Sequence, residues 1–447
     1  MTVFTLILLI VYIVVPVLIN YLVYKNSFFR RLGAIVIAYG IGLLIGNIGL
    51  FPQPDNTMVE LVNHKEAVLT NELVSNLYPD DPSLKAENIK VNKKLVADMY
   101  DYGMLSEDDV RYFNIYKLQD TMTGVAIVLA FPLLLFSLNV RKWFKVAGTT
   151  FLSMVLGLIS VIIPIIVGFY LFNNTVDDAW KVAGMMTGVY SGGTPNLAAI
   201  QRALGVNNLT YIMTHTYDLI VGAVFLLFVM TIAQKVFLKF LRPYKMQGVT
   251  VDIDPEMIES VGEKPFFSVL QKKQLLPLLA ALGVTLIIVG LSVGIGELAP
   301  QAHQTVVIII VTTTLGILAS LNGRINKIER TFDFGMYFIL VFSVVVASMA
   351  DLRNFDMSYI NLFYWVAMVY VGSLVIHVAL AAIFKVDADN VIIVSTALSC
   401  SPPFVPVVAG ALNNKEIILS GITVGIVGYA IGNYLGILIA ELLFYFG

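Results

Sequence analysis

The chain has 447 residues, of which 58% are hydrophobic and 13% charged, with a formal net charge of −2. A soluble domain carries about 25% charged residues, and the apolar residues here fall in separate runs of about 20, long enough to span a bilayer. Composition therefore predicts an all-α polytopic membrane protein and gives no indication of a nucleic-acid partner. The single Cys400 excludes an internal disulfide framework and a multi-cysteine metal site.

Apolar runs in chain order predict ten ordinary transmembrane helices. They lie at 3–24, 32–51, 121–138, 146–172, 209–233, 275–295, 305–321, 332–350, 360–384 and 417–446. Two further apolar segments, 182–204 and 390–412, are interrupted by proline and polar residues. Such a break frees backbone groups that lipid cannot satisfy, so it is tolerated where it is buried in protein or lines a cavity. In secondary transporters, broken segments of this kind form the substrate site.

The distribution of basic loops decides whether the two broken segments cross the membrane. Short loops rich in Lys and Arg are expected on the cytoplasmic side. If both segments turn back, the basic loops fall on one face and the loop 296–304, which has no Lys or Arg, falls on the other. We therefore predict two re-entrant hairpins, with five spans and one hairpin in each half of the chain.

An odd number of spans in each half predicts two inverted repeats. The first repeat is 1–245, a cytoplasmic linker follows at 246–273, and the second repeat is 274–447. Both termini are then extracytoplasmic, as is an insert at 54–118 that has seven Lys and Arg against twelve Asp and Glu. A small solvated insert is the favoured interpretation of 54–118, and a lid or receptor-docking cap is the alternative.

Both breaks carry groups that can bind a solute. Hydroxyl and amide side chains supply hydrogen bonds, glycine lets a ligand approach bare backbone, and Pro195 can open a helix whose N-terminus favours an anion. The alternative for each break is a kink that only helps helices to pack. The predicted solute-binding residues are Ser191, Gly192, Gly193, Thr194, Pro195 and Asn196 in the first break and Ser399, Ser401, Pro402 and Pro403 in the second.

Three polar residues inside predicted spans are candidates for ion coupling. His215 and Asp218 lie three residues apart, hence on one helix face, and a charge near the bilayer centre costs about 2.5–3.5 kcal/mol on insertion scales. Asn433 lies among glycines at 425, 428, 432 and 436, whose first interpretation is close helix packing. The alternative for the Asp218–His215 pair is a link between helices. The mid-span residues 312–314 and His377 are expected to bond within the bundle.

The sequence lacks a zinc-protease motif, an aspartyl-protease pair and a phosphate-binding Walker loop, so we expect neither an enzyme nor direct use of ATP. We expect no cofactor beyond a transported Na⁺ or H⁺. The predicted function is secondary active transport of a small anionic organic solute, such as an amino or carboxylic acid, across the membrane. The alternatives are a passive channel and a membrane-embedded sensor that uses the insert at 54–118.

Two stretches resemble the bacterial membrane family called "domain of unknown function 819". They are Ser191 to Asn196, followed by a polar mid-span helix, and Gly425 to Gly436. That family is similar to the glutamate:sodium symporters and to the sodium/proton-antiporter and bile-acid-transporter superfamily. The resemblance implies a homodimeric elevator transporter with inverted repeats and two hairpins that meet tip to tip. The residues after Ser-Gly-Gly differ from those of the glutamate symporters, so the resemblance does not carry glutamate over as the solute.

Overall fold

The computed structural model describes residues 3–26, 29, 34–49, 51–63, 68–79, 85–86, 89, 91–137, 148–245, 272–300, 303–349, 359–400, 402–414 and 416–447. Within these ranges the fold is helical and contains no β-strand. The sequence-predicted linker 246–273 falls almost wholly outside the described residues, as do Ser401 and parts of the insert 54–118. For Pro403 the structure describes only the backbone.

The helices of the first half, up to the end of the first predicted repeat, are numbered in chain order. They are α1 (Val3–Lys25), α2 (Ala34–Asn47), α3 (Asn56–Asn63), α4 (Asn71–Leu77), α5 (Lys93–Asp101), α6 (Glu107–Phe136), α7 (Gly148–Phe172), α8 (Ala179–Gly192), α9 (Thr194–Leu204), α10 (Asn208–Thr231) and α11 (Ala233–Phe237).

The helices of the second half continue the numbering. They are α12 (Lys272–Gly296), α13 (Gln304–Ser320), α14 (Gly323–Asn326), α15 (Thr331–Ser348), α16 (Ile360–Phe384), α17 (Ala388–Ser399), α18 (Val405–Ala411) and α19 (Ile418–Phe446), with a 3₁₀ turn at Pro402–Phe404 between α17 and α18.

Eight of the described helices are long and apolar enough to cross a membrane: α1, α6, α7, α10, α12, α15, α16 and α19. They coincide with eight of the ten predicted spans. The remaining two predictions, 32–51 and 305–321, correspond to the shorter apolar helices α2, with 14 residues, and α13, with 17. The membrane-spanning helical class is therefore confirmed, and the count of ten stays a prediction.

One predicted span is part of a helix that begins well before it. The span predicted at 121–138 belongs to α6, which begins at Glu107 and is 30 residues long. The cause is a capping box, in which Ser106 accepts from the Asp109 backbone and the Asp109 carboxylate accepts from the Ser106 backbone N–H at 2.8 Å. Hydropathy cannot detect such a start because the first turns of α6 are polar.

The insert 54–118 has a hydrophobic core of its own. Its buried members are Met58, Leu61, Leu69, Leu95, Val96, Met99, Leu105 and Phe113, of which the last lies on α6. Asp109 is fully buried and also accepts from the Asp55 backbone N–H at 2.8 Å, which ties the start of the insert to α6. The Tyr78 hydroxyl donates to Asp98 at 2.7 Å, and burial, with the nearby carboxylate, raises the pKa of Tyr78 to about 12.

The long helices pack in two groups. The first, here called the α6–α15 group, consists of α1, α2, α6, α12, α13 and α15. The second, the hairpin group, consists of α7, α8, α9, α16, α17, α18 and α19, with α10 against α16. Helices α9 and α19 contact α6 and α13 across the boundary between the groups, and α10 contacts α15 there. The predicted solute residues that the structure describes all belong to the hairpin group and its turns.

Candidate functional site

The first broken segment is a turn between two antiparallel helices. Helix α8 ends at Gly192, and Gly193 takes φ 76° and ψ −174°, a conformation that is essentially restricted to glycine. Helix α9 then begins at Thr194 with proline in its first turn. The open side of Gly188 faces Ile200, and that of Gly184 faces Leu204. The contacts of α8 with α9 therefore continue away from the turn on both helices, so the two helices form a hairpin.

This first hairpin packs tightly against α19, along the glycines at 428, 432 and 436. Gly428 faces the backbone of Ser191, and Gly432 faces the Asn196 side chain. Gly436 faces the backbone of Gly184, near the start of α8. Helix α8 therefore runs antiparallel to α19, and the close packing predicted from the glycine spacing is confirmed.

The second broken segment is also a hairpin, and it packs against the other half of α19. Gly421 faces Ile393 on α17 and Val405 on α18, while Gly425 faces Pro402 in the turn. At the base of this hairpin, Asn414 donates to Asp389 at 2.8 Å. Gly425 also faces the Ala397 carbonyl, one turn after Ile393 on α17. Because the contacts advance in the same direction on both helices, α17 runs parallel to α19.

The two hairpins therefore approach each other from opposite ends of α19. Their tips lie within about one turn of α19, at Gly428 for the first hairpin and Gly425 for the second. The first hairpin and helix α17 of the second are nearly fully buried along their length. Two stretches 208 residues apart thus become neighbours on a third element, as the re-entrant interpretation requires.

The polar residues of the first tip are all buried, and some of their polar atoms are hydrogen-bonded. Ser191 donates to the Thr187 carbonyl at 2.6 Å, which keeps its hydroxyl within α8. Asn196 donates to the Gly428 carbonyl at 3.2 Å, and its side-chain oxygen has no hydrogen-bond partner among the described residues. Thr194 is 9% exposed. In the second tip Ser399 is 8% exposed.

Asp218 lies in a buried cluster of aromatic and polar side chains. Its carboxylate accepts from the Tyr370 hydroxyl at 2.9 Å, and its other oxygen is 3.6 Å from Nδ1 of His215, too far for a hydrogen bond. Both ring nitrogens of His215 lack a hydrogen-bond partner in the described structure. The imidazole lies 4.4 Å, centroid to centroid, from the ring of Tyr39 on α2. The His215–Asp218 pair thus faces the boundary between the two helix groups.

Two tyrosines and the cysteine of this cluster were not predicted from the sequence as site residues. Tyr190, directly before the first tip, and Tyr370 on α16 pack edge to face with ring centroids 5.0 Å apart. The Tyr190 hydroxyl is buried near Asp218 without a hydrogen bond of normal geometry. Cys400, in the second tip, is a near neighbour of Tyr370 and Asp218. The Asp218 cluster therefore borders both hairpin tips, and no spacing in the sequence connects α16 with α10.

Asn433 occupies a different place from Asp218. Its amide nitrogen donates to the hydroxyl of Thr313 on α13 at 3.1 Å, and its oxygen has no partner among the described residues. His377, expected to bond within the bundle, does so: its two ring nitrogens lie 3.2 Å from the Ser153 hydroxyl and 2.9 Å from the Ser395 hydroxyl. Of the predicted ion residues, His215 lies beside Asp218, and Asn433 lies at the contact with α13.

The hairpins contain no preformed transition-metal centre in the part of the chain that the structure describes, since no group of three or more His, Cys, Asp or Glu is placed to hold a metal ion there. The donors near the tips are hydroxyls, amides and one carboxylate. Such groups suit hydrogen bonding to a polar solute or coordination of a hard cation.

The model of the family described as "Protein of unknown function (DUF819)" matches residues 103–446. The chain is also 25% identical, over 333 residues, to the "Uncharacterized membrane protein YjcL" of Bacillus subtilis (strain 168), an alignment that covers 71% of this chain and 81% of that protein. The match to the family model begins within the insert and includes both hairpins. The chain therefore belongs to the DUF819 family of membrane proteins, as the two quoted stretches predicted.

Proposed function

We propose that this DUF819 protein is a secondary active transporter. In this proposal it moves a small anionic organic solute, such as an amino or carboxylic acid, across a bacterial inner membrane with Na⁺ or H⁺ as the coupling ion. The observation that carries the proposal is the meeting of two helical hairpins, from opposite ends of α19, at Gly425 and Gly428. Interrupted helices that meet in the middle of a bundle are the arrangement in which transporters bind their substrates.

The chemistry of the first tip supports an anionic group on the solute. Helix α9 begins at the tip, so its dipole favours negative charge there, whereas Pro195 has no N–H and the Asn196 N–H already donates to the Gly193 carbonyl at 3.1 Å. Thr194 and Asn196 provide the neighbouring polar side chains, and Ser399 and Pro402 provide the opposite wall from the second tip.

Asp218 supports the coupling step. Asp218 is 6% exposed on a helix long enough to span the membrane, and within the described residues the basic side chain that lies beside it is His215. A buried carboxylate without a full counter-charge is costly, so it gains from binding a proton or a cation. Binding that also alters the contact of His215 with Tyr39 would couple the ion to the boundary between the helix groups.

Alternating access follows if the hairpin group moves relative to the α6–α15 group. The hairpins pack against α19 over most of their length, which favours their movement as one body. We propose that the α6–α15 group forms the fixed scaffold of a homodimer and that the two halves of the chain are inverted repeats with extracytoplasmic termini.

The test combines a ligand screen with transport. Purified protein is first screened by thermal shift against amino and carboxylic acids with and without Na⁺, and the compounds that stabilise it are tested for uptake in proteoliposomes. Asp218→Asn is expected to abolish Na⁺- or pH-dependent uptake while the protein remains folded. Asp177→Asn, at an exposed acid in the loop before α8, is the matched control and should transport like the wild type.

Uptake whose dependence on Na⁺ and pH is unchanged in Asp218→Asn would refute the coupling role. Flux that only follows the solute gradient, without ion stoichiometry, would favour a channel. A sensor is the second candidate, because the insert 54–118 has its own core and forms a folded unit that a ligand could occupy. A sensor would retain its signalling response in Asp218→Asn.

A further inference from the structure

His215 on α10 is a buried histidine whose ring makes no hydrogen bond in the described structure. It is 1% exposed, and neither Nδ1 nor Nε2 has a partner among the described residues. A neutral imidazole has one N–H donor and one acceptor nitrogen, so burial without partners leaves both unsatisfied. His377, which is equally buried, has a serine hydroxyl at each ring nitrogen. The fold can therefore satisfy a histidine that only joins helices, and His215 departs from that pattern.

The Asp218 carboxylate lies beside this ring. One of its oxygens accepts from the Tyr370 hydroxyl at 2.9 Å, and the other is 3.6 Å from Nδ1 of His215. An N–H···O hydrogen bond has a length of about 2.7–3.2 Å, so an approach of about 0.4–0.9 Å would close this gap. Protonation of the ring favours such an approach, because an imidazolium donates a charge-assisted hydrogen bond to a carboxylate and balances its charge.

The other titratable side chains around the two residues are phenols and one thiol. They come from every described element that faces the carboxylate or the ring: Tyr39 on α2, Tyr190 on α8, Tyr211 on α10, Tyr370 on α16 and Cys400 in the second tip. Phenols and thiols are uncharged near neutral pH. Within the described residues, Asp218 is thus the anion of the cluster, and one proton on His215 is enough to balance it.

The surroundings of Asp218 suit a proton better than a metal cation. In transporters, Na⁺ is coordinated by the backbone carbonyls of unwound segments and by helix C-terminal ends. Asp218 and His215 lie within the continuous helix α10, whose carbonyls are used in helical hydrogen bonds. The side chains described beside the carboxylate supply tyrosine hydroxyls, a thiol and aromatic rings. A proton needs only one donor and one acceptor, and His215 and Asp218 provide these.

We infer that the coupling ion is a proton, which His215 and Asp218 bind together. Imidazole is ordinarily the stronger base, so the ring carries the added proton, donates from Nδ1 to Asp218 and leaves the carboxylate as the counter-charge. The His215 ring lies 4.4 Å, centroid to centroid, from Tyr39 on α2, which belongs to the α6–α15 group. Movement of the ring toward Asp218 therefore changes a contact at the boundary between the two helix groups. The coupling role rests on the proposed transport function, whereas proton binding does not.

The first measurement is ¹⁵N NMR of the purified full chain with labelled histidine. The chain has four histidines, so the signals that disappear in His215→Gln can be assigned to His215. Between about pH 8 and pH 5 we expect these signals to change from those of a neutral ring to those of a doubly protonated ring, equally in NaCl and in choline chloride. Asp218→Asn keeps the shape of the side chain and removes the counter-charge, so the buried ring should stay neutral. Asp177→Asn, at an exposed acid, is the matched control and should titrate like the wild type.

A His215 ring that stays neutral to about pH 5 in the wild type would overturn the inference, as would a ring that protonates alike in folded Asp218→Asn. An increase of the unfolding midpoint by Na⁺ that Asp218→Asn abolishes would show a metal cation at this site and overturn it too. Should no variant fold, uptake by the wild type decides, because uptake that needs Na⁺ and ignores a pH gradient would refute proton coupling. Protonation of His215 as expected, without uptake of any solute, would count against the transport proposal and leave the proton site standing.

Discussion

Gly428→Ala tests the contact on which the candidate site depends, the seating of the first hairpin tip on α19. A Cβ atom at Gly428 would lie 3.1 Å from the Ser191 carbonyl carbon and 3.3 Å from the Gly192 Cα, and closer still to the Ser191 oxygen. Ordinary contacts of a Cβ begin at 3.4 Å. The obstruction is backbone rather than the end of a flexible side chain, so the tip itself has to move, by about 1 Å. Overpacking of this kind costs about 1–3 kcal/mol.

The assay is thermal unfolding in detergent, combined with the rate at which a maleimide labels Cys400. Cys400 is the only cysteine of the chain and lies in the second tip, so its labelling reports on the region where the tips meet. We expect Gly428→Ala to lower the unfolding midpoint and to label faster than the wild type. Gly290→Ala is the matched control, because Gly290 lies on an exposed face of α12 with no atom within 4 Å of the added Cβ. A Gly428→Ala protein with the midpoint and labelling rate of the wild type would refute the packing described for the first hairpin.

Three further predictions follow from individual contacts. Tyr370→Phe removes the hydroxyl that donates to Asp218 and should lower the free energy of unfolding by about 1.5–3 kcal/mol. It should also shift the pH dependence of uptake, and an unchanged pH profile would contradict a role for this bond in coupling. Gly193→Ala should lower the free energy of chemical unfolding by about 1–3 kcal/mol, because φ 76° with ψ −174° strains any residue with a Cβ. An unchanged free energy of unfolding would mean that the turn has another conformation. Ser106→Ala should cost about 1 kcal/mol by removing the cap of α6, and Ser106→Thr, which can cap in the same way, should unfold with the wild-type midpoint.

Local chemistry explains the features that the sequence predicts correctly. A transmembrane helix needs about 20 apolar residues, and this property can be read without knowledge of any neighbour. The positions of the two breaks are likewise local, because proline removes a backbone donor and Gly193 adopts a dihedral that other residues avoid. The glycine spacing along α19 predicts a close approach of another helix, and the structure confirms it.

The sequence leaves features unpredicted where a helix extends beyond its apolar part or where contacts are long-range. Helix α6 continues for several turns before its apolar part, because a capping box and the core of the insert replace lipid as its environment. Hydropathy cannot detect a helix start whose first turns are polar. The glycines of α19 did not reveal that their partners are the two hairpin tips, since the same spacing would suit any packed helix.

The sequence by itself determined the membrane-spanning helical class, the family and the two places where the chain breaks inside an apolar segment, because each depends on residues that are adjacent along the chain. Only the tertiary structure decided that the breaks meet on α19, that Tyr190 and Tyr370 surround Asp218, and that the Asn196, Thr312 and Asn433 oxygens are left without donors. These are relations between helices distant in the sequence. They depend on which side chain faces which neighbour, and in a membrane protein that is set by close packing and by hydrogen bonds in an environment without water.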